Sequence, residues 1–414
     1  MLSFESAYQL VLEQTPHPEP ETVGLLAAVG HVLAEPLVAD MDVPPFDRAV
    51  MDGFALRSAD SRDGPFDLKI IGEVAAGSIS PLSVAAGQAV QIMTGAAVPA
   101  GADAIEMIEV CDLKGQSVQM SRRLRAGERI AAKGSEVAQD QVVLEAGRLI
   151  GAAETALLAM FGKTQVAVYR RPSVAILATG DELVPPSTRP GPGQIRNSNS
   201  YALAAQLKLC GIEAELLGAA SDRVEDLREK IAGGLQKDLL LLTGGVSAGK
   251  YDLVAGVLQA LGVEIFFDRL AVKPGKPVTF GRKGTTLVFG LPGNPVSAYV
   301  SFETLVVPSI RKRAGFRLAG PFGVAGRLEA SIRNPGDRAL FAPARVWYEG
   351  GWRIAPIETR GSADIFRFST ADALVYLEKD VTSLDAGAEA VAYLLPDYLN
   401  RRAQTKDQGL RTKD

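Results

Sequence analysis

The feature that most constrains the fold is a regular alternation of apolar strands and helices between residues 172 and 315. The runs Val174–Ala178 and Asp238–Leu242 are typical of buried strands, and Ser200–Leu209 between them has the length and composition of a helix. Strands that alternate with helices at this spacing form βαβ units, in which neighbouring strands run parallel. The sequence therefore predicts an α/β domain with a largely parallel sheet.

The segments on either side of this predicted domain have a different texture. Short alternating strands with glycine-containing turns occupy residues 44–143, and short strands return beyond Pro321. They predict a β-rich module and a small C-terminal barrel or sandwich. Residues 1–43 are predicted to be helical, with a second apolar helix at Thr22–Glu35, and the chain returns to helix at Leu149–Phe161 within 144–170. Residues 401–414 are predicted to be a flexible tail.

Charge and composition exclude several classes of function. The 414 residues carry a formal net charge of −4, with 47% apolar and 22% charged residues. The negative charge argues against a general affinity for nucleic acid or anionic lipid, and no apolar run is long enough to span a membrane. We therefore expect a soluble, cytoplasmic, multidomain protein that binds neither nucleic acid nor membrane.

Histidine and cysteine are too rare for most metal and nucleophile chemistry. The chain holds two histidines, His17 and His31, and two cysteines, Cys111 and Cys210. No four-ligand zinc pattern is present, and neither histidine lies beside a nucleophile motif. Catalysis should depend on carboxylates, lysines, hydroxyls and backbone amides, and any metal should be an oxygen-binding ion such as Mg²⁺.

Four polar loops follow the predicted strands of the α/β domain. They comprise Thr179–Glu182, Asp222, Thr243–Ser247 and Leu291–Pro295. Because ligands in open α/β sheets bind beyond the carboxyl ends of the strands, four such loops on one edge predict a binding site. The third loop is not a true phosphate-binding P-loop, since Tyr251 stands where Ser or Thr must meet Mg²⁺, but its backbone amides can still hold an anion.

The last of these loops predicts an anion-binding helix end. Asn294 is expected to cap a helix whose first residue is Pro295, leaving the amides of Val296 and Ser297 free to bind an anion. The proline-rich segment Lys273–Pro277 carries two lysines. A solvated charged turn is the ordinary interpretation of such a segment, but beside an anion-binding helix end it favours a phosphate clamp.

A second group of polar loops lies in the β-rich module. Residues 42–54 hold three carboxylates and a Pro-Pro pair, and Met93–Ala96 and Lys133–Glu136 are polar loops that contain glycine. By composition alone these segments are turns.

Together, the two groups of loops resemble the molybdopterin molybdenumtransferase family, the MoeA-type enzymes related to the gephyrin E domain. The resemblance covers roughly residues 1–400, and its longest motif is Pro-Pro-Phe-Asp-x-x-x-Met-Asp-Gly-Phe-Ala. Six motifs occur in the family's order, at residues 44–55, 92–96, 179–183, 243–252, 273–277 and 291–297.

The resemblance implies a fold that combines α/β and β domains. It consists of a three-layer α/β/α molybdopterin-binding domain at 171–318, a β-rich module at 44–143 that contributes to the active site, and a C-terminal β-barrel at 319–400. The helical region 1–43 with 144–170 serves as a linker and dimerisation region.

The resemblance also implies a reaction and an assembly. Molybdenum from molybdate, a substrate, is inserted into adenylylated molybdopterin with release of AMP, and Mg²⁺ is the cofactor. The enzyme is a homodimer whose cleft lies between the α/β domain of one subunit and the β-rich module of the other. Contacts with a molybdopterin adenylyltransferase and with molybdoenzyme delivery proteins are implied as well.

Site residues carry over from the family's motifs position by position. The catalytic set is Asp52, Thr94, Glu136, Glu182, Asp222 and Asp252, of which Glu182, Asp222 and Asp252 are the expected Mg²⁺ ligands. The substrate-binding set is Gly180, Asp181, Ser198, Asn199, Gly244, Gly245, Ser247, Arg269, Lys273, Lys276, Pro292, Gly293, Asn294, Pro295 and Ser297. Three positions depart from the family pattern: Glu136 replaces Asp, Arg269 replaces a common Lys, and Arg196 replaces an aromatic residue.

Two other functions remain open at this point. A molybdopterin adenylyltransferase or a competence-damage-type enzyme would share the α/β domain, but both lack the motif at 44–55. A gephyrin-like scaffold is an alternative of another class, and it would need an attached partner domain or a long linker.

Overall fold

The computed structural model describes residues 1–78, 81–244, 251–334, 336–396 and 398, with only the backbone of Tyr251 and Asp252. The chain divides into two compact units. The first contains the described residues of 1–23, 30–34 and 167–414, and the second contains residues 24–29 and those of 35–166. The strands Pro20–Gly24 and Gln165–Tyr169 both cross the boundary between the units.

A six-stranded sheet forms the centre of the first unit. Four strands run parallel, and an antiparallel hairpin extends one side of the sheet. In spatial order the strands are Glu215–Ala220, Val174–Thr179, Leu239–Thr243, Thr286–Leu291, Thr279–Lys283 and Glu264–Phe267. All six residues of Val174–Thr179 are buried, which explains why its sequence is a continuous apolar run.

Helices cover both faces of this sheet. Val174 and Ile176 pack with Leu203 and Leu207 on one face, whereas Ala175 and Leu177 on the other face pack with Leu227. Successive side chains of a strand point to opposite faces, so the buried strand supplies both cores. The helices of this domain are Asn199–Leu209, Val224–Gly234, Tyr251–Ala260, Pro295–Ser301 and Val307–Arg313, the last two joined by a π-helical turn at Phe302–Val306.

The C-terminal part of the first unit is a closed five-stranded barrel. Strand Ala339–Tyr348 pairs with both Trp352–Pro356 and Ala373–Leu377, and this double pairing closes the barrel. The other strands are Gly323–Leu328 and Glu389–Leu394. Among the shorter elements, Leu183–Val184 pairs with Ile195–Arg196, Ile332–Arg333 pairs with Ser383–Leu384, and Val272–Lys273 pairs with the barrel strand Ala339–Tyr348. A short helix lies at Ile365–Phe368.

The second unit contains a six-stranded β module. Its spatial order is Ala104–Met107, Gly53–Leu56, Gln88–Ile92, Phe66–Val74, Ser117–Met120 and Asp112–Lys114, with one parallel pair in the middle. Strand Gly53–Leu56 is completely buried between two neighbours. Shorter elements are Leu37–Val38, Arg48–Ala49, Ser58–Asp60, Ile108–Val110, Ile130–Ala131, Val142–Leu144 and the helix Ala152–Met160.

The structure confirms the predicted fold class of α/β and β domains, but the prediction that 1–43 and 144–170 are helical is wrong for much of both segments. In 144–170 the helix is limited to Ala152–Met160, and Gln165–Tyr169 is a strand. The N-terminal helix exists at Phe4–Gln14, whereas Thr22–Glu35 forms the end of a strand and a series of turns. Gly30 has φ +78, a left-handed conformation that a continuing right-handed helix does not allow. In the described part of the chain, no helix is both long and apolar enough to cross a membrane.

Candidate active site

The four polar loops of the α/β domain lie at one edge of the central sheet. The parallel register pairs Thr179 with Ala220, Ala178 with Thr243, and Thr243 with Leu291. Each of these strands therefore ends at the same level, and the loop that follows each one begins there. This is the edge at which α/β sheets bind ligands.

The first loop places a carboxylate against a glycine. A Cβ at Gly180 would lie 2.6 Å from both carboxylate oxygens of Glu182, and Gly180 has φ +139. The backbone conformation favours glycine at this position, and a side chain there would displace the Glu182 carboxylate. Asp181 accepts a hydrogen bond from the backbone N–H of Asp222 (3.0 Å), which ties the first loop to the second. Glu182 and Asp222 are therefore held on loops that are joined to each other.

The third and fourth loops meet through backbone contact. Gly244 has φ +90, and a Cβ there would lie 2.4 Å from the carbonyl oxygen of Thr179. A Cβ at Gly293 would lie 3.5 Å from the Cα of Gly244, so the two glycines pack together. Asn199 donates to Oγ1 of Thr243 (3.0 Å) and to the carbonyl oxygen of Gly293 (2.8 Å). Ser198 precedes Asn199 and is exposed.

The proline turn is more fully hydrogen-bonded than the sequence predicted. Pro295 is the first residue of its helix, as expected, but Asn294 does not cap it with its side chain. Asn294 donates instead to Oγ of Ser362 (2.8 Å), and the N–H of Val296 donates to the carbonyl oxygen of Ser362 (3.0 Å). The prediction of a free Val296 amide is wrong, because a loop of the C-terminal barrel occupies it. Pro292 and Ser297 are buried in the same turn.

The basic segment is exposed, and its glycine packs against the helix that begins at Pro295. Arg269, Lys273 and Lys276 all have exposed side chains. Between the lysines, a Cβ at Gly275 would lie 2.8 Å from Oγ of Ser301. Ser301 lies six residues after Pro295, roughly 9 Å along a helix of ordinary rise. This contact places Gly275 beside the body of the helix.

The predicted metal ligands are only partly described. Glu182 and Asp222 are half-buried on adjoining loops, but the side chain of Asp252 and all of Gly245 and Ser247 lie outside the described residues. In the part of the chain that is described, no group of three or more His, Cys, Asp and Glu side chains forms a metal site. Carboxylate oxygens on two joined loops are nevertheless the donor type that Mg²⁺ prefers.

In the second unit, Asp52 and Thr94 form one hydrogen-bonded pair. Both the N–H and the hydroxyl of Thr94 donate to Oδ1 of Asp52, each at 2.7 Å. These hydrogen bonds, first that of the backbone N–H, lower the pKa of Asp52 below its ordinary value. The next residue, Gly53, has to be glycine, because a Cβ at this position would lie 1.9 Å from the carbonyl oxygen of Glu106. The motif thus holds an ionised carboxylate at the end of a buried strand.

Glu136 lies in an ion pair that the sequence did not indicate. Its Oε1 is 2.8 Å from Nη2 of Arg48, and the side chains of Glu136 and Arg48 are 53% and 36% exposed. Arg48 lies within the motif at 44–55, but it occupies one of the motif's variable positions, so the sequence did not mark it as a site residue. Arg196, which stands where the family often has an aromatic residue, donates through Nε to the carbonyl oxygen of Thr188 (3.1 Å). Its side chain is therefore bonded to its own loop.

Sequence reasoning also missed Ser362. It lies in a loop between barrel strands, far along the chain from the turn that it contacts. The only local signal is the preceding Gly361, which has φ +115 and marks a sharp turn.

Three regions of the chain match models of known protein families. The MoeA N-terminal region (domain I and II) matches residues 2–162, a probable molybdopterin binding domain matches 175–312, and the MoeA C-terminal region (domain IV) matches 325–395. Fold and matches together define a multidomain protein built around a molybdopterin-binding α/β domain.

Full-length relatives narrow this class to one family. The molybdopterin molybdenumtransferases of Staphylococcus epidermidis and Bacillus subtilis are 31% and 34% identical, over 93% and 91% of this chain and 94% and 90% of theirs. The crystal structure of a molybdopterin biosynthesis MoeA protein from Pyrococcus horikoshii superimposes with a TM-score of 0.83 at 32% identity, covering 95% of this chain and 99% of that one. The chain belongs to the molybdopterin molybdenumtransferase family.

Proposed function

We propose that this protein transfers molybdenum from molybdate to adenylylated molybdopterin and releases AMP. The observation that carries the proposal is the carboxyl edge of the central sheet, where Asp181 joins the loops of Glu182 and Asp222. Carboxylates and glycine-rich turns on one edge, with an exposed basic segment in the same domain, suit a substrate with a phosphate–phosphate linkage. The dithiolene sulfurs that take up molybdenum belong to the pterin, so the protein needs few cysteines or histidines.

In this proposal, Glu182, Asp222 and Asp252 hold Mg²⁺. The ion would neutralise negative charge on the linkage that is cleaved. Lys273, Lys276 and Arg269, whose side chains are exposed, bind the phosphate oxygens. The glycines at 244 and 293 allow the backbone to approach the substrate closely, since neither carries a side chain.

The molybdate substrate is assigned to the second unit. Thr94 fixes the Asp52 carboxylate in one orientation through two hydrogen bonds, and Glu136 is fixed by Arg48. Catalysis of this kind depends mainly on positioning and charge, which such fixed polar groups supply.

The proposal includes a homodimer in the cytoplasm. Phe46, Met51 and Met93 are 40%, 40% and 43% exposed, and they flank Asp52 and Thr94 in sequence. Apolar surface of this kind is commonly covered by association. Both cysteines are free thiols, as in a reducing compartment.

The direct test is to incubate the purified protein with adenylylated molybdopterin, Mg²⁺ and molybdate and to follow AMP. We expect AMP release that depends on both ions. A protein that releases no AMP under any ion combination is not this enzyme, and binding of the pterin nucleotide without release would favour an adenylyltransferase-like or scaffolding role.

A second experiment tests the shared site. Co-expressed Asp52→Asn and Glu182→Ala chains should recover part of the activity in mixed dimers, because one of the two sites then receives both intact residues. Each variant alone is the control. Isolated mixed dimers without activity would contradict a site built from two chains.

A further inference from the structure

The side chain of Asn199 connects two of the loops at the carboxyl edge. Its Nδ2 donates to Oγ1 of Thr243 and to the carbonyl oxygen of Gly293, at 3.0 and 2.8 Å. A side-chain amide has two N–H donors, and both are used within the protein. We propose that Asn199 is a positioning residue that locks the turn at Thr243–Gly244 to the turn at Pro292–Gly293, and that it acts on the substrate through these turns. The inference rests on the proposed function.

The two turns are coupled through their backbones as well. Gly293 packs on Gly244, and Gly244 packs on the carbonyl oxygen of Thr179. Because no side chain separates these three strand ends, a shift in one turn displaces the next. Interiors packed this closely transmit displacement. The clamp at Asn199 therefore fixes the relative position of two loops to which substrate-binding residues are assigned.

Burial makes the clamp costly to lose. Thr243 is 1% exposed, so its hydroxyl cannot exchange Asn199 for solvent. Removing a partner from a buried polar group costs more than an ordinary hydrogen bond contributes. We expect the two turns to rearrange after Asn199→Ala, which alters the shape of the edge.

The same helix supplies a matched control. Gln206 lies seven residues after Asn199, on the same helical face, and donates through Nε2 to Oε1 of Glu303 (2.7 Å) and to the carbonyl oxygen of Tyr299 (3.4 Å). Gln206 is 2% exposed and joins its helix to the helical segment that follows Gly293, two turns away from the loops. Like Asn199, it donates two hydrogen bonds through a side-chain amide, but neither bond reaches a loop of the candidate site.

The kinetic experiment compares Asn199→Ala, Thr243→Val, their double variant and Gln206→Ala. We expect Asn199→Ala to lower kcat/KM for adenylylated molybdopterin by on the order of tenfold, mainly through KM, with the half-saturating Mg²⁺ concentration changed by less than about twofold. Gln206→Ala should lower Tm at least as much while kcat/KM of the folded protein stays near wild type. The double variant should lose less than the product of the two single losses. Losses that multiply would contradict the clamp.

Hydrogen exchange tests the clamp independently of activity. In Asn199→Ala, the amides of Leu291, Gly293 and Asn294 should exchange faster than in wild type, and in Gln206→Ala they should not. Unchanged exchange at these amides would overturn the inference even if AMP release were confirmed. Faster exchange in a protein that releases no AMP would support the clamp and reject the proposed function.

Discussion

The two edges of the central sheet differ in how their polar groups are used. At the amino edge, where the parallel strands begin, buried charges are paired within the protein. At the carboxyl edge, glycines with left-handed backbone and half-buried carboxylates line the loops. The comparison indicates that one edge of the sheet stabilises the fold, so that the loops of the other edge can be shaped for a ligand.

The amino edge is organised around Asp238. Its carboxylate lies 2.5 Å from Nη1 of Arg170 and 2.6 Å from Nη2 of Arg313, and it accepts hydrogen bonds from the N–H and hydroxyl of Ser173. Arg313 also donates to the carbonyl oxygen of Thr285 (3.0 Å). Because Ser173, Asp238 and Thr285 each directly precede a parallel strand, the cluster joins the starts of three strands to the end of a helix.

Asp238→Ala should produce the largest change in stability. The substitution removes the carboxylate 2.6 Å from the Arg313 side chain, which is 3% exposed, and leaves the Glu19 carboxylate at 4.0 Å. Breaking a buried ion pair from one side typically costs about 3–5 kcal/mol. Urea unfolding of the first unit should show this loss, with a decrease in the midpoint. A loss below about 1 kcal/mol would mean that the amino edge is no more important to stability than a surface ion pair.

Glu182→Ala, at the carboxyl edge, should greatly lower the rate of AMP release and leave stability almost unchanged. Loss of a charged group that acts on the transition state typically costs about 3–4 kcal/mol, or about 10²–10³ in rate. We expect AMP release to fall by that factor while the unfolding midpoint stays near wild type, because Glu182 is only half-buried.

Ion dependence supplies the matched control for Glu182→Ala. Raised Mg²⁺ should partly restore AMP release in Glu182→Ala, and raised molybdate should partly restore it in Asp52→Asn. The measurement is initial AMP release over a grid of both ion concentrations. Two variants that respond alike would reject the separate roles of these carboxylates, although the family assignment would stand.

The two edges also differ in how far the sequence could predict them. The carboxyl edge was predictable because each apolar run is followed at once by glycine, aspartate or proline, a local signal. The Asp238–Arg313 pair joins residues 75 positions apart, and the Asn199–Gly293 pair joins residues 94 apart. Such partners are chosen by packing, which leaves no trace in local composition. The predicted helix at Thr22–Glu35 failed for a local reason, since Gly30 interrupts an otherwise apolar pattern.

Acid should weaken the amino edge in a defined pH range. Burial alone would raise the pKa of Asp238, but the hydrogen bonds from Arg170 and Ser173 and the charge of Arg313 outweigh it and lower the pKa to about 2. A carboxyl group with a lowered pKa contributes stability above its unfolded pKa and loses it as pH falls toward the folded value. The contribution should therefore be complete above about pH 4 and decline toward pH 2.

The comparison for this prediction is Asp238→Asn, which cannot titrate. Asp226, near the carboxyl edge, also has a pKa of about 2, because of Lys230 first and then Ser221, so its own loss of stability below pH 4 remains in Asp238→Asn. Unfolding midpoints measured from pH 6 to pH 2.5 should therefore fall less steeply in Asp238→Asn than in wild type, and least steeply in the double variant with Asp226→Asn. Equal slopes in wild type and Asp238→Asn would show that Asp238 does not control the acid response.

The smallest change in stability is expected from Glu19→Ala. This variant tests whether stability at the amino edge depends on the burial of its ion pairs or on their number. Glu19 lies 2.7 Å from Nη2 of Arg170, a distance close to those that Asp238 makes, but its side chain is 53% exposed. Exposed pairs are screened by water and typically contribute less than about 1 kcal/mol. We expect urea unfolding of Glu19→Ala to lie within that range of wild type, while Arg170 keeps its bidentate contact with Asp238. If Glu19→Ala were as destabilising as Asp238→Ala, the amino edge would be a cooperative charge network whose exposed member matters as much as its buried one. In that case stability at this edge would follow the number of ion pairs, and burial would not be the property that distinguishes it from the carboxyl edge.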